Sequence, residues 1–72
     1  MTREEFYKEL ENHDWTYSYS DDFSVYQRGH ANIKRLREIA SQSQELGELF
    51  QDYADWYWNR LTGDKTLEKP TV

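Results

Sequence analysis

Four large rings fall within six residues near the end of this chain: Tyr53, Trp56, Tyr57 and Trp58. They belong to a set of three Trp, six Tyr and three Phe in 72 residues. A chain of this size buries only ~60% of the surface its unfolded form exposes. So much ring surface must therefore build most of the core, or spill onto the outside as a contact surface. Such an amount of ring surface makes a small binding module the first expectation.

Stability must come from packing. One domain is expected from the length. There is no Cys, so no disulfide and no thiolate zinc site. Well-packed helices, large aromatic side chains and self-association remain as sources of stability. The absence of a disulfide framework makes a cytoplasmic location the expectation. Met1-Thr2-Arg3-Glu4-Glu5 has none of the apolar character of a signal peptide. No apolar run approaches the ~20 residues of a membrane span, so no membrane partner is expected.

The net charge of −5 argues against broad affinity for nucleic acid or anionic membranes. Its distribution is uneven. Residues 1–22 and 43–63 are acidic, whereas residues 28–37 hold Arg28, Lys34, Arg35 and Arg37 with no acid among them. The simplest expectation is that acidic and basic segments lie side by side.

The pattern of apolar residues predicts three helices. Thr2 and Glu5 stand at capping-box spacing, so a first helix is expected over 2–12, with Phe6 and Leu10 on one face. Asn12-His13-Asp14 should end it. A second helix is expected from Ser20, with Ser20 as cap and Asp21 and Asp22 in the first turn. Its apolar positions are Phe23, Tyr26, Ile33, Leu36 and Ala40, and Gly29 is a candidate break. Ser43 caps a third helix, which runs to Leu61-Thr62 and ends at Gly63, a natural residue just past a helix. Its stripe is Leu46, Leu49, Phe50, Tyr53, Ala54, Tyr57 and Leu61. Trp56 and Trp58 fall on opposite flanks of that stripe. Residues 13–19 form an aromatic connector lying over the core.

The fold expected is thus an all-α domain of three helices over residues 1–63, followed by a flexible tail at 64–72. Phe6, Leu10, Ile33, Leu36, Leu49, Phe50, Tyr53 and Tyr57 should be largely buried. The competing reading is α+β. Trp15, Tyr17 and Tyr19 alternate with polar residues, and Phe23 and Val25 continue the alternation. A hairpin over about 14–28 would place all five on one face. The missing turn glycine weighs against it.

Candidate chemistry is sparse. His13, Asp14, Asp21, Asp22 and His30 are the only residues that imitate a metal or acid–base site, and their spacing matches no common signature. No nucleophile elbow is present. No enzyme activity, cofactor or metal is expected. Glu45, Glu48, Asp52 and Asp55 line one helix face, which is either a solvated surface or a mimic of spaced phosphates. Arg28, Lys34, Arg35 and Arg37, with His30, offer an alternative nucleic-acid contact. The first expectation for function is a protein-interaction module, binding a protein partner or a second copy of itself. Trp56 and Trp58, with Tyr17 and Tyr19, are the candidate contact residues, since Trp and Tyr are enriched at interface hot spots.

The stretch Asp14-Trp15-Thr16-Tyr17-Ser18-Tyr19-Ser20-Asp21-Asp22-Phe23-Ser24-Val25-Tyr26-Gln27-Arg28-Gly29 resembles small uncharacterised proteins of bacteriophages and other mobile elements. That resemblance implies a host-directed accessory role, as an inhibitor or modulator that works by binding a protein. It assigns no functional residue.

Overall fold

A computed structural model describes all residues from Met1 to Val72. It shows an all-α domain: α1 (Arg3–Asn12), a single 3-10 turn (Tyr17–Tyr19), α2 (Phe23–Ala40) and α3 (Gln44–Leu61). The hairpin alternative over 14–28 is not adopted. The Cα trace spans 33 × 29 × 16 Å. That short dimension is less than two helix diameters, so not every ring can be covered.

Local chemistry sets each helix end. At α1 the Thr2 hydroxyl accepts from the Glu5 amide, and Glu5 accepts in return from the Thr2 amide. Both orphan donors of the capping box are thereby satisfied. The start of α2 departs from expectation. Asp22, not Ser20, is the cap, and its carboxylate accepts from the Ser24 amide at 2.9 Å. Ser20 instead accepts from the Asp22 amide and holds the chain extended before the helix. The backbone can use only one of two competing caps. Ser43 caps α3 as predicted, accepting from the Leu46 amide. Gly63 ends α3 with φ +97°. Its amide donates to the Arg60 carbonyl, and the Asp64 amide donates to that of Asn59. These two bonds are the Schellman pattern, which requires a left-handed residue at this position.

α3 is the central element, with both α1 and α2 packed on it. The core consists of Phe6, Leu10, Trp15, Ile33, Leu36, Ala40, Leu46, Leu49 and Tyr53. Each fully buried Leu or Phe contributes roughly 1.5–3 kcal/mol of transfer free energy. Two expected core residues, Phe50 and Tyr57, are only half-buried. Trp15 takes their place. It stacks on Tyr53 and Tyr57 and tilts against Phe50, with centroids 5.6–6.0 Å away. The connector therefore enters the core at Trp15 and does not merely lie over it.

α2 is continuous through Gly29. Only its C-terminal part is well covered: Ile33, Leu36 and Ala40 are buried, while Phe23 and Tyr26 are exposed. The 3-10 turn is the element packed on the first half of α2, and three residues cannot shield that face. The tail at 64–72 has no helix. Lys69 reaches back to Glu11 at 3.3 Å and lies over the rings of Tyr7 and Trp56. No helix is long and apolar enough to cross a membrane.

Candidate functional site: an aromatic cleft beside the connector

The 3-10 turn projects Tyr17 and Tyr19 in different directions. Tyr17 is half-buried against α2, packing on Gly29 and on the rings of Tyr26 and His30. Tyr19 is 73% exposed and meets Trp58 of α3 edge-on, with centroids 6.3 Å apart. Trp58 is itself exposed. The turn thus brings together three of the four residues predicted for partner binding. A cleft of about 130 Å³ opens between the turn, α2 and α3. Trp15, Ile33, Phe50 and Ala54 contribute its apolar lining, Tyr17 and Trp58 flank it, His13 and Ser18 add polar groups, and Arg37 adds a cation.

Trp56 is elsewhere. It lies on the opposite flank of α3, edge-on to Tyr53 and half-buried. The Lys69 ammonium lies 5.3 Å from its ring centroid and the Arg60 guanidinium 5.6 Å. Cations over an indole face are attracted by the ring quadrupole. The C-terminal segment thus occupies the surface that Trp56 would offer to a partner.

The basic residues do not form one stripe. At about 100° per residue, Arg28 and Arg35 fall on one flank of α2, and Lys34 and Arg37 on the other. Arg35 is engaged: it pairs with Glu9 of α1 and donates to the Asn32 side-chain oxygen from both Nε and Nη2. Arg28 Nε donates to the Ser24 carbonyl of its own helix. Lys34 and Arg37 are exposed and take part in no ion pair. The side-by-side placement of the acidic segments with the basic segment 28–37 is realised in one ion pair, Arg35–Glu9; the other exposed pairs, Arg3–Glu45 and Lys69–Glu11, do not involve that segment. Pairs of this kind contribute little stability.

His13, expected to help end the first helix, is its C-cap and is buried. Two N–H groups of Arg35 fix the orientation of the Asn32 amide, so Asn32 Nδ2 is the donor toward His13. His13 Nδ1 accepts that bond at 2.9 Å. The ring proton therefore sits on Nε2, which is buried and has no partner. Burial pushes the His13 pKa down; Arg35 adds to that shift and Asp14 opposes it. A wider, shallow depression of about 470 Å³ beside His13 is lined by Asp14, Arg28, Gly29 and Asn32. No group of three His, Cys, Asp or Glu side chains is placed to hold a metal ion. The acidic residues Glu45, Glu48, Asp52 and Asp55 are all exposed along α3, and Arg3 bonds the first of them.

Sequence reasoning missed Asn32, and it named His13 and Phe50 without placing them at the aromatic cleft. The Asn32–His13 bond joins positions 19 apart, and no local pattern announces such a contact. Compared with protein-family models, curated proteins and solved structures, the chain finds no match.

Proposed function

We propose that this protein is a non-enzymatic interaction module that binds another protein through the surface formed by Tyr19, Trp58 and the rim of Tyr17. The observation that supports it most directly is the exposed Tyr19–Trp58 pair, whose Trp58 also lines an apolar cleft. Phe23, 70% exposed at the start of α2, adds to the apolar surface nearby in the chain. Exposed rings clustered on a small domain mark contact sites, and buried Trp and Tyr dominate interface energetics. The resemblance of residues 14–29 to small proteins of mobile elements fits a partner in the host, with the module acting as an inhibitor or modulator. A second copy of the chain is the alternative partner. Binding of nucleic acid is the weaker reading, because the cations of α2 divide between two flanks and Arg35 is already paired.

The test uses the intact protein as bait, beside a variant carrying Tyr19→Ser and Trp58→Ala. Both side chains are exposed, so the variant should keep the wild-type helix content by circular dichroism. The wild type should retain a protein that the variant does not, and retention should persist as salt rises, because apolar burial dominates the contact. Equal capture by both baits would remove the aromatic surface from the interaction.

A further inference from the structure

The cleft also carries information about what fits it. Its volume of about 130 Å³ is well below the ~300–1,000 Å³ of ordinary small-molecule sites. It has room for one apolar side chain. Ile33, Phe50, Ala54 and Trp15 present an apolar wall to that side chain, so a branched aliphatic or aromatic anchor suits it, while His13 and Ser18 add polar groups to the lining.

Charge around the cleft is one-sided. Arg37 lines it, and Lys34 stands one turn back on the same flank of α2, as helical residues three apart do. Both are exposed and without an ion-pair partner, although the chain has 14 acidic residues against nine Lys and Arg. In a chain with an excess of acids, an unpaired cation in the wall of a mostly apolar cleft, with a second unpaired cation one turn away on the same helix, leaves a site complementary to carboxylates. An Arg guanidinium receives a carboxylate through two parallel hydrogen bonds, which fixes orientation as well as charge. A groove between two helices, bordered by a turn, suits a single extended or helical segment.

We propose that the cleft between the 17–19 turn, α2 and α3 docks an acidic linear segment of a partner protein. One apolar side chain of that segment enters between Tyr17 and Trp58, and a neighbouring carboxylate pairs with Arg37, with Lys34 reinforcing the field. The proposal rests on the interaction reading above and adds to it the chemistry of the partner.

A random twelve-residue peptide library is selected on the intact protein. Enriched sequences should combine acidic residues with one Leu, Ile, Phe or Trp. A fluorescein-labelled peptide with one leucine among aspartates, glutamates and glycines then serves as probe in anisotropy titrations. Affinity should fall at least about tenfold in a Lys34→Glu, Arg37→Glu double variant, a loss in the range of a broken charge pair. It should fall comparably when the peptide's leucine becomes alanine. Both substituted residues are exposed, and circular dichroism checks that helix content is unchanged. Ala54→Met, which fills the cleft from the α3 side, should block the probe while leaving the cations in place.

Enrichment of basic or uncharged peptides would overturn the proposal, as would undiminished binding to the double variant. So would self-association in sedimentation that the charge reversal abolishes, since the occupant would then be a second copy. Saturable binding of single-stranded DNA lost in the same double variant would assign the cations to nucleic acid instead. Absence of any enriched peptide, with Trp58-dependent capture of a protein still intact, would sink the linear segment alone. Loss of both would sink the interaction reading with it.

Discussion

The ring of Tyr17 lies directly on the backbone of Gly29, in the space a side chain at that position would fill. A Cβ built on Gly29 overlaps the Tyr17 Cβ and Cγ and comes within 2.9 Å of Cδ1. Glycine is therefore required here by close approach, although φ at Gly29 is ordinary for a helix. In an exposed helix interior, Gly→Ala stabilises by roughly 1 kcal/mol. At Gly29 the sign should reverse.

The first prediction follows directly. Gly29→Ala should destabilise the fold by about 1–3 kcal/mol, the usual cost of overpacking. Displacement of Tyr17 should also open the cleft. In a Tyr17→Gly background the overlapping atoms are gone, and the same change should be neutral or stabilising. Chemical denaturation of the four proteins of this cycle would read the coupling. An Ala at position 29 that stabilises in both backgrounds would disprove the contact.

Helix existence and type were legible in the sequence because capping and periodicity are local. Thr2 with Glu5, Ser43, and Gly63 each act within a few residues of the helix end they define. The choice between Ser20 and Asp22 was not legible, since both are good caps and the decision depends on the extended path of the connector. Period alone was ambiguous at residues 15–19. The alternation of Trp15, Tyr17 and Tyr19 suits a strand, yet each ring serves a different neighbour: the core, Gly29 and Trp58. Of the candidate site, Tyr17, Tyr19 and Trp58 come together in space, and Trp56 does not. The flank positions of Trp56 and Trp58 were readable from helical geometry. Coverage of Trp56 by Lys69 was not, because it depends on how residues after the last helix fold back.

The second prediction concerns Trp15. Its indole N–H donates to the Leu10 carbonyl at 2.9 Å inside the core. That carbonyl is one of the last of α1, which lack intrahelical partners. Trp15→Phe keeps a ring in the stack but leaves a buried acceptor unsatisfied, at a cost of about 1–3 kcal/mol. Trp15→Ala should cost more, about 3–5 kcal/mol, and leave the chain largely unfolded. Thermal melts followed by circular dichroism would rank the three proteins. Equal melting of wild type and the Phe variant would show that the bond contributes nothing.

The third prediction is a pH dependence. The His13 pKa is lowered from 6.5, first by burial and then by Arg35. Protonation would also place a second N–H against the Asn32 amide, whose orientation Arg35 fixes. The neutral ring is thus the form the fold accepts, and the unfolded chain binds the proton more readily. Stability from this group is fully present above about pH 6.5 and is lost as pH falls through the lower folded value. The carboxylates of Glu5, Asp22 and Asp64 have pKa values lowered by hydrogen bonds, and so weaken the fold only in a more acidic window. Wild type should lose melting temperature between pH 7 and pH 5, and His13→Asn should lose less over that interval. Parallel curves for the two proteins would show that His13 does not titrate in this way.

The last prediction bears on the contact surface. Trp15 is 5% exposed and Trp58 36%, with Trp56 half-buried beneath Lys69. Acrylamide should therefore quench Trp58 most and Trp15 least. Single Trp→Phe variants separate the three indoles, and Trp58→Phe should remove the largest part of the quenchable emission. Trp56 should respond differently. Lys69→Ala removes both the cation over its ring and the ion pair to Glu11, so quenching of Trp56 should rise. The pair itself is exposed, so global stability should change by no more than about 1 kcal/mol. The variant thereby separates release of the C-terminal segment from loss of the fold. If Trp56 were equally shielded with and without Lys69, its shielding would come from α3 and Tyr53 alone. If Trp58 were as protected as Trp15 in a protein shown to be monomeric, the rings beside the cleft would be core. The interaction surface would then lose its main physical support.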